Sequence, residues 1–118
     1  MKVCVVGAGP CGLTTIKQLR DEGHDVVCFD RNVDLGGLWL RHDDPQTDAG
    51  EMKAYDTLML TISMKLMAYS DHPFGDGRVF YTRAQYLEYL RGYADRFGLA
   101  EFIRYGTEVN DIRRDGRS

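Results

Sequence analysis

Val3-Cys4-Val5-Val6-Gly7-Ala8-Gly9-Pro10-Cys11-Gly12-Leu13 lies near the start of the chain, and the change of period within it decides the fold. Residues 3–6 are continuously apolar, the pattern of a parallel strand covered on both faces. From Pro10 to Glu22 the pattern becomes helical, with Leu13, Ile16 and Leu19 at three-residue steps on one face. Gly23 stands where a helix-ending glycine belongs. Asp25–Asp30 then returns to an apolar run, Val26-Val27-Cys28-Phe29. A strand, a helix and a second strand within residues 2–30 predict the crossover unit of a parallel sheet. The fold class expected is therefore α/β and Rossmann-like.

The junction between the first strand and the helix, Gly7 to Gly12, fits the pattern GxGxxG. Such a pattern gains meaning when it follows a buried strand and opens a helix, as it does here. Gly7 permits the tight turn, Gly9 lets the backbone approach a pyrophosphate, and Gly12 lets helix and strand pack closely. Ala8, Pro10 and Cys11 fill the loop between them, and Pro10 suits an early helical position that needs no N–H donor. The helix start offers free N–H groups and partial positive charge to phosphates. Asp30 ends the second strand 23 residues after Gly7. Its carboxylate is suited to accept hydrogen bonds from ribose hydroxyls and would repel a 2′-phosphate. Arg31 beside it has the reach to meet a phosphate. The loop predicts dinucleotide binding, with FAD and NAD both open. The following stretch, Arg31-Asn32-Val33-Asp34-Leu35-Gly36-Gly37-Leu38-Trp39, favours FAD. Gly36-Gly37 lets backbone pass close to a ligand, and Leu38 and Trp39 supply walls for a flat ring system.

Residues 31–54 are turn-rich and read as a long loop. Tyr55–Ile62 is expected to form a short strand, Ser63–Tyr69 is ambiguous, and Asp71–Arg78 is loop. Thr82 with Gln85 forms a capping box, and Tyr81 and Tyr86 occupy the hydrophobic-staple positions around it. A helix over 83–97 follows, with an apolar stripe of Tyr86, Leu87, Leu90, Tyr93, Ala94 and Phe97 and with Gly98 at its end. Phe102–Tyr105 and Glu108–Arg114 read as strands, and Asp115-Gly116 is a hairpin-turn pair. With no returning strand before Ser118, the expectation is an incomplete domain.

The composition narrows the classes. Of 118 residues, 15 are Lys or Arg and 18 are Asp or Glu, for a net charge of −3. That balance excludes an overall basic nucleic-acid binder, and 43% hydrophobic content excludes a disordered chain. No apolar run nears the ~20 residues of a membrane span or the ~7–15 of a secretory signal core, so a cytoplasmic protein is expected. Cys4, Cys11 and Cys28 show no metal-ligand spacing with one another or with His24, His42 and His72. They read as buried reduced thiols.

Beyond these readings, the chain resembles the flavin-containing monooxygenases, including their N-hydroxylating and Baeyer–Villiger relatives. The carriers are Val3–Leu13, Cys28–Trp39, Tyr55–Phe74 and Arg83–Leu99, and the run Leu66-Met67-Ala68-Tyr69-Ser70-Asp71-His72-Pro73-Phe74 is the most specific. The resemblance implies an N-terminal FAD-binding segment at 1–118, without the NADPH domain and without the C-terminal part that completes the FAD site. Gly7, Gly9 and Gly12 would bind the FAD pyrophosphate, and Asp30, where the family usually has Glu, would hold the ribose. Gly37, Leu38 and Trp39 would line the flavin. Val109 matches a position that meets adenine through its backbone. Thr61 stands where many members carry an Asn beside the flavin, and a hydroxyl lacks amide geometry. The implied activity is an FAD- and NADPH-dependent monooxygenation of an amine, sulfide or ketone by O₂, through a flavin hydroperoxide. Two other readings are a dinucleotide-binding module with no activity of its own and an NAD-binding Rossmann dehydrogenase.

Overall fold

The computed structural model describes residues 1–40, 57–75 and 77–116. Three parallel strands form one sheet in the order β1 (Lys2–Val6), β2 (Asp25–Phe29), β3 (Ile103–Arg104). Helix α1 (Pro10–Asp21) crosses from β1 to β2. It ends as its glycine predicts: Gly23 N–H donates to the Arg20 carbonyl and His24 N–H to that of Leu19. The β1–β2 register pairs Val5 with Cys28, and Val5, Val26 and Cys28 are buried together with Leu13 and Ile16 of α1.

The opposite face of the sheet departs from the expectation of burial on both sides. Cys4 is exposed and Val6 is 56% exposed, so only one face of β1 is covered. The alternation arises because α1 packs on one side of a three-stranded sheet in which β1 is an edge. Of the three cysteines, Cys28 alone is buried; Cys4 and Cys11 are exposed, contrary to the reading of all three as buried, and all are free thiols.

Among the described residues of the 31–54 stretch, the only regular structure is a single 3₁₀ turn at Gly37–Trp39. The remainder, 41–54, lies outside the described residues, as do Tyr55 and Asp56 of the expected strand. What is described of that strand is a single antiparallel bridge, Met59 to Thr82. Pairing stops there because Thr82 is already the N-cap of the next helix. Ser63–Tyr69 contains the short helix α2 (Met64–Met67).

Helix α3 (Arg83–Arg96) begins at the capping box that the sequence predicts. Thr82 accepts from the Gln85 N–H, and the Gln85 side chain accepts from the Thr82 N–H. Its stripe of Tyr86, Leu87, Leu90, Tyr93 and Ala94 is buried, with Phe97 packed at the margin. Beyond a 3₁₀ turn at Ala100–Phe102, the expected strand over 102–105 contracts to β3. No strand forms over Glu108–Arg114: these residues are extended or irregular and largely exposed, with Ile112 at 80%. No described strand offers them a ladder. Among the described residues, no helix is long and apolar enough to cross a membrane, and no cluster of side chains is arranged for a metal ion.

Candidate dinucleotide-binding site

The glycine loop leaves β1 at its C-terminal end and enters α1. Gly7 N–H continues the sheet by donating to the Phe29 carbonyl at 2.8 Å. A Cβ on Gly12 would lie 1.9 Å from the Gly7 carbonyl oxygen, so Gly12 is the position where helix and strand touch. Leu13 N–H is taken by the Gly9 carbonyl. Among the described residues, no hydrogen bond takes the N–H of Cys11 or Gly12. Those two donors are the ones that a helix start offers to an anion.

Asp30 is 6% exposed and braces the loop from β2. Its Oδ2 accepts from Ala8 N–H at 2.6 Å and its Oδ1 from Asn32 N–H at 2.7 Å. A carboxylate oxygen accepts two bonds, so each oxygen has capacity for a second acceptor interaction beyond that bond. The Cys28 thiol donates to the Gly7 carbonyl beneath the same loop. Burial, reinforced by the nearby Asp30 carboxylate, pushes that thiol up to about 11.

The second glycine pair lies against the first. Gly36 N–H donates to the Ala8 carbonyl at 3.0 Å, and a Cβ on Gly9 would meet Gly37 Cα at 3.6 Å. Gly36 has φ +122°, and a Cβ there would come within 2.4 Å of Leu87 Cδ1. With Gly37 at φ +57°, both members of the pair hold a backbone conformation that favours glycine. Trp39 is half-buried, edge-on to Tyr86 at 4.9 Å between ring centroids. Its carbonyl accepts from Arg83 Nη1 at 2.8 Å, and Arg83 is itself buried. Leu38 is 56% exposed, so it presents a free apolar surface while Trp39 is largely committed to packing.

The structure therefore brings Gly7–Gly12, Asp30, Gly37 and Trp39 into one neighbourhood. Arg31 is exposed at the edge. Thr61 is exposed in the bend before α2. Val109 is half-buried, two residues beyond Thr107, whose N–H reaches the Asp30 carbonyl at 2.9 Å. Sequence reasoning missed Tyr69, Tyr86 and Arg83, which hold the loops from outside. Tyr69 Oη donates to the Pro10 carbonyl at 2.8 Å across 59 residues of sequence. No local pattern marks such a contact. Arg83 carried a weaker signal: a cation at the first position of a helix opposes the macrodipole and so requires another reason to be there.

A profile of the flavin-binding monooxygenase-like family matches residues 1–117. The chain belongs to this family. Flavin-containing monooxygenase 5 of Rattus norvegicus is 37% identical over 114 residues, which is 96% of this chain and 21% of that protein. Among solved structures, an S-allyl-L-cysteine S-oxygenase from Allium sativum superposes with a TM-score of 0.84 at 28% identity, over 97% of this chain and 29% of that one. A steroid monooxygenase bound to NADP gives 0.73 at 26%, over 90% and 20%. These likenesses confirm the Rossmann-like fold. The chain spans about a fifth of the length of the curated relatives that it matches.

Proposed function

We propose that this chain is the FAD-binding segment of an NADPH-dependent flavin monooxygenase. The observation that carries the reading is the stacking of two glycine turns, Gly7–Gly12 and Gly36–Gly37, beside the N–H groups of Cys11 and Gly12, which no hydrogen bond takes among the described residues. A Cβ-free surface next to unspent donors suits a pyrophosphate, which needs close backbone approach and positive partial charge.

Within this reading each residue has a task. The N–H groups of Cys11 and Gly12 hold the pyrophosphate oxygens. Asp30 first orders the loop through Ala8 and Asn32, and its remaining lone pairs accept from the ribose. Leu38, with the exposed edge of Trp39, shields the flavin from water. Val109 supports the adenine, and Thr61 faces the flavin side. When bound, FAD would take hydride from NADPH and pass one oxygen of O₂ to an amine, a sulfide or a ketone. The chain spans about a fifth of its curated relatives' length, so in this reading NADPH binding and turnover are assigned to the longer protein. The absence of a helix fit to cross a membrane among the described residues and the three free thiols accord with a cytoplasmic setting.

The test is an absorbance spectrum of the purified chain after incubation with FAD and desalting. Retained flavin bands are expected. Selective NAD binding without flavin would instead support a dehydrogenase. A second reading, a binding module without activity of its own, is favoured for the isolated chain by its one-fifth coverage of the relatives. It predicts FAD retention without NADPH consumption.

A further inference from the structure

We propose that Tyr69 is a positioning residue for the pyrophosphate, acting through the Pro10–Cys11 peptide. The inference rests on the FAD reading of the glycine loop. Its starting point is that the carbonyl of Pro10 and the N–H of Cys11 belong to one planar amide. Tyr69 Oη donates to that carbonyl at 2.8 Å. In a trans peptide the C=O and N–H point in opposite directions. That oxygen also accepts from Thr14 Oγ1 at 3.4 Å within α1, so Tyr69 adds a hold from outside the helix on the direction of the Cys11 N–H, which no hydrogen bond takes among the described residues.

The same bond also alters donor strength. A hydrogen bond to an amide oxygen draws electron density toward oxygen and leaves the N–H a better donor, the cooperativity of hydrogen-bonded chains. The Tyr86 hydroxyl is a hydrogen-bond partner of that of Tyr69 and, as a hydroxyl, can donate to it, which leaves the single Tyr69 proton for the Pro10 carbonyl. Burial pushes the Tyr69 phenol well above the usual tyrosine range, so it stays protonated and remains a donor.

Tyr69 is itself held in place. Its N–H donates to Tyr89 Oη at 2.7 Å, and Tyr89 Oη donates in turn to the His72 carbonyl at 2.5 Å. Its ring packs edge-on against Tyr93, at 4.7 Å between centroids. The neighbouring Asp71 pairs with Lys17 of α1 at 3.1 Å, which ties the turn to the same helix. A hydroxyl placed this firmly on the first turn of the helix does more than fill space, because ring packing alone would be met by phenylalanine.

The experiment compares three forms of the chain: native, Tyr69→Phe, and one with 3-fluorotyrosine incorporated at position 69. FAD affinity is read by quenching of flavin fluorescence, and the Cys11 amide proton by NMR in the absence of FAD. Tyr69→Phe keeps the ring and removes the donor, so FAD affinity should fall about five- to tenfold, with the Cys11 amide moving upfield. Fluorination strengthens the donor and should move that amide the opposite way. Opposite signs from two near-isosteric changes are not a packing effect. A folded Tyr69→Phe chain with FAD affinity within about twofold of native would overturn the inference and leave the FAD reading standing. A native chain that binds no FAD would overturn both. If Tyr69→Phe does not fold, the fluorinated form decides: an unmoved Cys11 amide overturns the inference.

Discussion

Two glycines of the loop are separated by the atoms around them. A methyl at Gly12 would lie 1.9 Å from the Gly7 carbonyl oxygen, and backbone has no room to yield. A methyl at Gly9 would meet Gly37 Cα at 3.6 Å, an ordinary contact, with φ at −79°. Gly12→Ala is therefore expected to destabilise the chain by about 3 kcal/mol, seen in a denaturant melt. Under the proposed pyrophosphate site, Gly9→Ala should leave the melt nearly unchanged and still abolish FAD retention. If Gly9→Ala kept FAD, the pyrophosphate assignment would fall. Asp30→Ala tests a different division of labour. Loss of two bonds from a buried carboxylate to Ala8 and Asn32 should cost about 3 kcal/mol. The loss should appear in the melt without FAD, whereas a pure ribose contact would leave that melt unmoved. Thiol chemistry reads the same site. Cys4 and Cys11 are exposed and should react promptly with a disulfide reagent at pH 8. Cys28, with its thiol pushed up to about 11, should react only on unfolding. Bound FAD should slow Cys11 and leave Cys4 unaffected.

Elements were legible in proportion to how much of their reason is local. β1, α1 and β2 are written in a change of period and two glycines, and α3 in a capping box and a stripe. Thr82→Ala removes one half of that box and should lower stability by about 1 kcal/mol, measured as a shift of the thermal midpoint. The elements misread are those whose state depends on partners remote in sequence. Glu108–Arg114 has strand-like composition and no described strand beside it, while Tyr55–Ile62 is reduced to a bridge by the helix cap that it meets. The candidate site shows the same division. The glycine loop was legible, whereas the grip of Tyr69, Tyr86 and Arg83 upon it was not, because a contact spanning 59 residues leaves no spacing to read.

The turn that carries Tyr69 also introduces a pH dependence. The His72 ring packs against Tyr89 and Tyr93, and its Nδ1 lies 3.5 Å from Arg96 Nη1. Burial first, then Arg96, lower its pKa, with Asp71 opposing. The unfolded chain, near the usual ~6.5, then binds the proton more readily than the folded one. The resulting stability is present above that value and is lost as pH falls through the lower folded one. Melts from pH 8 to 5 should show a decline that His72→Gln flattens.

At the scale of the whole molecule, the sheet divides the chain into a finished side and a bare one. Val5, 8% exposed, packs with Leu13 and Ile16 under α1; Val6, its neighbour on the same strand, is 56% exposed. Adjacent residues on one strand differ only in the face they occupy, so they form a matched pair for asking what covers the sheet. In the 118-residue chain, Val5→Thr should cost about 2 kcal/mol by placing a hydroxyl in the core, while Val6→Thr should stay within about 0.5 kcal/mol. The same pair measured in a longer form of the protein reads the other layer directly. A cost at Val6 that rises to match that at Val5 would mean that added chain seals the bare face. An unchanged difference would mean that the sheet keeps that face open.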